Sequence, residues 1–423
     1  MDAKVKELVD FTKDKFGLEH YHLHTVNIYR DKNILNSTNY TLSMEWYPNN
    51  ISEHTDENCN PVGTAVIDLD INSRRFKRII FVGGTSLSVG LKFNKNDINE
   101  IIRWIEKETG LLYGKQFTIW KQEELNIHFE ECFNGIPVSP SGYIYFELDK
   151  NGRLTLFSVN GLFPSKEMVK EETFSLTLKD LEQTARDQVK LLEFPSSKQE
   201  KWIPIYGLEE IYIKNDKTGT IPIEPIADVR PYLKIDKILS WDNSILKPFI
   251  RREINLSSET ITIEQALSRE PHPDTFPITK VDQDKSIEAV LDFLRKQYPD
   301  DSGKWKLTYL FRDNGYINAI LKPLLNDLRV YQRKLMIFID TNTFEAANYI
   351  DNQLFLDMFH QYTSPENITI RKEEAFEKIK TKIELKPVYV YDFEQKKYVL
   401  CGKLDCEYGV LANNGDVIEL EDI

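Results

Sequence analysis

The sequence predicts an α+β fold of tandem repeats, each an amphipathic helix packed on an antiparallel sheet. Two observations carry this expectation. A cassette recurs from end to end: an amphipathic stretch, then alternating strands that finish in apolar-x-apolar-Asp and a turn. It closes as "VIDLDINSRRFKRI" (Asp70), "YFELDKNGRLTLFS" (Asp149), "YLKIDKILSWD" (Asp236) and "IFIDTNTFEAANYI" (Asp340), and "YGVLANNGDVIEL" is a degenerate fifth with Ala412 in place of the Asp. Self-similarity of this kind points to architecture before chemistry. In addition, 423 residues with 41% hydrophobic and 12% aromatic content exceed what one core organises, so several packed units are expected.

The first unit, residues 1–90, opens with a helix whose Val5, Leu8, Val9 and Phe16 share one face. Strands follow in "HYHLHTVNIYR", "YTLSMEWY", "GTAVIDLDI" and "RRFKRIIFVGG", where apolar and polar residues alternate. The second unit, 91–172, starts with Ile98, Ile101, Ile102 and Ile105 at the spacing of a buried helical stripe. Its Asn134-Gly135 and Asn151-Gly152 pairs mark hairpin tips, because both central residues of a type I′ turn need positive φ. In the third unit, 173–270, the helix is read as "TLKDLEQTARDQVKLLEF", followed by strands "KWIPIYGLEEIYIK" and "RPYLKIDKILSWD". A further helix start, with Thr262 and Gln265 in capping-box register, is cut short by the prolines of "EPHPDTFP". The fourth unit, 271–362, carries "DKSIEAVLDFLRKQY" and two strands. The last, 363–423, opens on "TIRKEEAFEKIKTKIE" and is a partial repeat ending in short hairpins.

One stretch, 129–154, makes the pattern specific: "FEECFNGIPVSPSGYIYFELDKNGRL" joins Asn-Gly-Ile-Pro, a spacer, a strand ending in Asp, and Asn-Gly. This resembles the repeated domain of the Bacillus YcdB/YcdC proteins and, more distantly, PepSY-type domains. Asn134, Gly135, Ile136 and Pro137 match the family's Asn-Gly-Ile-Pro phrase, and Asp149, Gly152 and Leu154 match its strand-Asp-turn phrase. Ala185, Ala266 and Ala375 stand at comparable offsets in helix openings. The match weakens where Asp70 and Asp340 lack the following glycine. The resemblance implies a helix-on-sheet repeat without a defined catalytic motif, and secretion for many members.

Composition narrows the function classes. A net charge of -13 repels phosphate backbones, and no basic tract is long enough to counter it, so nucleic acid is not an expected partner. Four scattered cysteines, Cys59, Cys132, Cys401 and Cys406, do not make a disulfide framework. The opening residues mix charges rather than forming the apolar stretch of a secretory signal, and no apolar run is long enough to span a bilayer. A cytoplasmic protein with no membrane insertion is expected.

Nucleophile elbows, zinc-protease helices, phosphate loops and dinucleotide fingerprints are all absent from the sequence. Weaker features remain. His20, His22 and His24 alternate, so on a strand they project to one face, where His54 or Cys59 would be a fourth metal ligand. A solvated strand face is the plainer account. Cys401 and Cys406 read as small buried hydrophobes, with a conditional disulfide as the alternative. "VGGTSLSVG" reads as a flexible connector rather than an anion cradle, since it holds no basic residue. The repeated Asp70, Asp149, Asp236 and Asp340 read as turn-formers that accept backbone hydrogen bonds, not as acid-base pairs.

The expectation is therefore a non-enzymatic protein that binds a protein or peptide through sheet edges or faces and needs no cofactor. "MEWYPNN", with Trp46 and Tyr47, is the expected surface. The alternatives are a metal-dependent hydrolase built on His20, His22 and His24, and a small-molecule module with a pocket between repeats. No residue is assigned a catalytic role.

Overall fold

The computed structural model describes residues 1–50, 59–223, 232–255, 260–324, 327–365 and 367–423. Helix α1 (Ala3–Phe16) begins where the Asp2 side chain accepts from Lys4 N and ends at Gly17 with φ 59°. Its apolar face is buried against a meander of four antiparallel strands: β1 (Tyr21–Lys32), β2 (Thr38–Pro48), β3 (Ala65–Asp70) and β4 (Phe76–Phe81). Helix α2 (Ile98–Thr109), capped by Asp97, repeats the arrangement over β5 (Phe117–Gln122), β6 (Asn126–Phe133), β7 (Ile136–Ser139), β8 (Tyr143–Leu148) and β9 (Leu154–Asn160). Strand β9 pairs antiparallel with β4, which fuses the two meanders into one sheet. Phe16, Trp46 and Phe81 thus share a core with Ile105, Phe146 and Phe157.

The "VGGTSLSVG" segment is tied down rather than flexible. Ser88 Oγ donates to Phe16 O, Leu87 N donates to the Tyr21 hydroxyl at 2.8 Å, and Arg153 donates to Ser86 O at 2.9 Å. The first two bonds tie the segment to α1 and β1, and the third ties it to the second meander.

Next come α3 (Glu182–Gln188), β10 (Val189–Ser196), β11 (Lys201–Leu208), β12 (Ile211–Lys214) and β13 (Thr220–Pro222). The helix expected to run through Phe194 stops at Gln188. Residues 189–196 pair along their whole length with β11, and this ladder with burial of Val189 outweighs a weak local helical pattern. Strand β14 (Tyr232–Leu239) and α4 (Ile263–Ser268) follow, α4 with the Thr262–Gln265 capping box intact. Helix α5 (Lys280–Gln297) then lies on β15 (Trp305–Asp313), β16 (Tyr316–Pro323), β17 (Leu335–Asp340) and β18 (Ala346–Asp351). Strand β14 pairs with β15, so "YLKIDKIL" closes this five-stranded sheet.

The chain ends with α6 (Gln353–Leu356), α7 (Lys372–Ile379), β19 (Glu384–Asp392), β20 (Lys397–Asp405), β21 (Tyr408–Leu411) and β22 (Val417–Glu419). These strands return to earlier ones: β19 runs parallel to β7, β20 pairs with β12, and β21 with β11. Leu181, Ala185 and Val189 accordingly pack with Phe376, Ile379, Val410 and Ala412. The protein is mixed α+β, with seven α-helices among the described residues.

Turn chemistry explains the recurring Asp. Asp70 accepts from Ser73 N, Asp149 from Asn151 N and Arg153 N, and Asp340 from Asn342 N and Thr343 N, each at 2.8–2.9 Å. Asp392 does the same toward Glu394 N. Asp236 departs from the pattern: it sits in a bulge of β14 at φ 50° and pairs with Lys306 at 2.8 Å and Lys234 at 3.3 Å. Asn134-Gly135 forms the expected turn, with φ of 51° and 79°. At Asn151-Gly152 the glycine alone has positive φ, 78°, and Phe93 N donates to its carbonyl at 2.7 Å.

Beside β7, Glu131 is wholly buried and accepts from Gly142 N at 2.7 Å and Phe163 N at 2.5 Å. Burial pushes its carboxyl up to about 7, despite these amides.

Candidate functional site

An open sheet edge is a row of unpaired backbone groups, so the edges locate where a partner strand can add. Most are short or covered. Backbone bonds from Leu328 and Val330 close the outer side of β10 at Glu193, at 2.8 and 3.0 Å. Arg252 lies along β18, its N–H bonded to Ala347 O at 2.8 Å and its carbonyl accepting from Asn348 Nδ2 at 2.9 Å.

Strand β1 differs. It is twelve residues long, it ends the largest sheet, and its backbone from His22 to Tyr29 pairs with β2 but with nothing on the outer side among the described residues. Its C-terminal end, by contrast, is clamped. Arg30 pairs with Glu270 at 3.1 Å, the Tyr40 hydroxyl donates to Glu270 O, His272 N donates to Thr38 Oγ1 at 2.7 Å, and Asn36 donates to Thr275 O at 2.7 Å. The open stretch is therefore held on a fixed frame.

The two faces of that stretch have different chemistry. Leu23, Val26 and Ile28 lean on the core, and Val26 and Ile28 line a groove of about 600 Å³ with Val5, Leu42 and Ile261. On the other face His24 stacks on Tyr47 with ring centroids 3.9 Å apart, and His22 meets Asn49 Oδ1 at 3.3 Å. One side of the edge is apolar and the other is polar and aromatic.

His22 and His24 share the face of Tyr47, with ring centroids 6.2 and 3.9 Å from its ring. His20 precedes β1, and a bulge between Leu23 and Thr25 carries His24 as the extra residue. Cys59 is exposed, and His54 lies outside the described residues. Among the described residues no group of three or more His, Cys, Asp or Glu side chains is placed to hold a metal ion.

Trp46 is not a surface residue: it is 2% exposed in the shared core, because alternation along β2 turns it inward while Tyr47 faces out. Cys401 and Cys406 are buried free thiols, and burial pushes the Cys401 thiol up to about 12. Asn134, Gly135 and Pro137 sit at the β6–β7 hairpin and Asp149 and Gly152 at the β8–β9 turn, all away from the β1 edge in strand order. Sequence reasoning named sheet edges without naming β1, or Val26 and Ile28 on it. The available signal was the order of elements: the first strand of a hairpin-linked meander has no earlier strand to pair with.

No helix among the described residues is long and apolar enough to cross a membrane. The chain matches no family model and no curated protein. Among solved structures it is similar to the Bacillus megaterium YpeB C-terminal domain, with a TM-score of 0.26 and 9% identity over 83% of this chain and 97% of that one. A likeness this distant carries no argument about function.

Proposed function

We propose that this chain is a non-enzymatic binding protein, built of PepSY-like helix-on-sheet repeats, that captures an extended peptide segment along β1. The observation that carries the reading is the outer backbone from His22 to Tyr29, unpaired among the described residues, on a strand clamped at its C-terminal end. Strand addition satisfies such groups with main-chain hydrogen bonds, and alternate side chains of the guest then set specificity. Guest side chains on the core side meet Val5, Val26 and Ile28, so the preferred peptide alternates apolar with polar residues.

Selection from a displayed library of ten-residue peptides, followed by hydrogen exchange on the complex, tests this. Expected are alternating sequences whose binding slows exchange at amides within 22–29, and an Ile28→Lys variant that binds less. Selected peptides that leave those amides unchanged would refute the β1 site.

A further inference from the structure

A second site lies where distant parts of the chain meet, on one face of the sheet strip β7-β19-β20-β12-β13. Residues two apart on a strand share a face. Val390 and Asp392 of β19 are therefore presented together, as are Tyr212 and Lys214 of β12, with Ile221 of β13 opposite Tyr212. With Ser139 at the end of β7 these side chains line a cavity of about 320 Å³, the lower range of small-molecule sites. Its floor is apolar: Val388, Val390, Val399 and Cys401 form a separate buried cluster against Tyr212 and Ile221.

Hydrogen-bond capacity determines what such a cavity can hold. Asp392 is 5% exposed, and both its oxygens are committed, Oδ1 to Glu394 N and Gln395 N and Oδ2 to Lys214 Nζ and Gln395 Nε2, all at 2.8–3.1 Å. Its acceptor sites are filled. Lys214 spends one of its three protons on Asp392. Ser139 Oγ and Tyr212 Oη lie 2.9 Å apart and share one proton, which leaves one hydroxyl proton for a guest. The walls thus offer donors, one of them charged, above an apolar floor, and the exposed Glu394 is the one carboxylate besides Asp392 among the described lining residues.

We infer that this cavity is a binding site for a small molecule with an apolar, ring-sized body and a carboxylate or similar anionic acceptor. The anion takes the remaining protons of Lys214 and the Ser139–Tyr212 pair, and the body lies on Val390 and Ile221. The site is independent of the β1 edge.

Three probes of matched shape test it: 3-phenylpropionate, 3-phenylpropanol and 3-phenylpropylamine, titrated into the full chain with NMR and calorimetry. The acid is expected to bind, the alcohol about tenfold more weakly, and the amine not measurably. Shifts are expected at Tyr212, Ile221 and Val390. Lys214→Met should erase the preference for acid over alcohol. Because that change leaves Asp392 without its cation, Ile221→Trp, which fills the cavity from its half-exposed lip, is the second variant and should abolish binding of the acid. Failure of all three probes at millimolar concentration, equal binding of amine and acid, or unaltered binding by Ile221→Trp would overturn the assignment.

Discussion

At the scale of the residue, Glu131 shows how burial sets a charge. Its carboxylate has no solvent, and Gly142 and Gly161 approach so closely that a Cβ on either would fall 2.3–2.4 Å from Oε2. Two glycines are the condition for this contact. A carboxyl held at about 7 instead of its ordinary 4.5 binds its proton more tightly in the folded chain than in the unfolded one. Folding stability from this group is therefore fully present below about pH 4.5 and lost as pH rises from 4.5 to 7, by at most roughly 3 kcal/mol. Glu131→Gln should flatten this part of the stability curve, so denaturant midpoints at pH 5 and pH 8 should lie closer together than in the parent. An unchanged gap would mean that other groups set the pH dependence. The strand-end aspartates work differently, because Asp70, Asp149 and Asp340 act as acceptors for their own turns and need no partner from another unit.

At the scale of the element, two glycines with nearly the same φ make unequal demands. Gly152 has φ 78°, and a Cβ there would lie 2.3 Å from Phe93 O, a backbone atom that cannot move aside. Gly315, at φ 76° in the β15–β16 hairpin, has open space around it. Gly315→Ala should cost about 1 kcal/mol, the ordinary penalty for a left-handed backbone, whereas Gly152→Ala should cost several times that by breaking the contact between the turn and residue 93. Urea unfolding of both variants checks the ratio, and equal losses would show that the turn can shift away from Phe93. The turns at Asn134-Gly135 and Asn151-Gly152 were legible in the sequence because glycine, asparagine and aspartate act on their nearest neighbours. The stripe of α2 and the capping box of α4 were legible for the same local reason. The end of α3 was not, since "VKLLEF" becomes a strand through a ladder with β11, a partner its own residues do not name. Trp46 was misplaced on the surface because its neighbours "MEWYPNN" look polar, and only the alternation along β2 decides which of Trp46 and Tyr47 turns inward. At the β1 edge the residues were readable, but the openness of the edge depends on which other strands are covered, and that is a property of the assembled sheets.

At the scale of the whole molecule, the order of units along the chain is not their order in space. Residues 181–213 and 370–412 build one core, while β14 to β18 with α5 build another from the sequence between them. The recurrence of the cassette made a row of successive units the natural expectation, because periodicity carries no information about which strands return to pair. A chain ended after residue 363 separates the possibilities. It loses α7 and β19 to β22, and with them one of the two partner strands of each of β7, β11 and β12. It also loses Ala375, Phe376, Ile379, Leu404, Val410 and Ala412 from the core of α3 and β10. Several buried apolar side chains at about 1.5–3 kcal/mol each exceed the margin by which a domain is stable. Hydrogen exchange in the shortened chain should therefore become fast at Val189, Ile205 and Tyr206. It should stay slow at Leu42 and Ile67, whose core is complete within the first 163 residues apart from α4, and at Leu307 and Ile337. Retained protection from 189 to 208 would mean that the β10–β11 hairpin is held by its contacts to 328–330, and that the two chain segments do not depend on each other to fold.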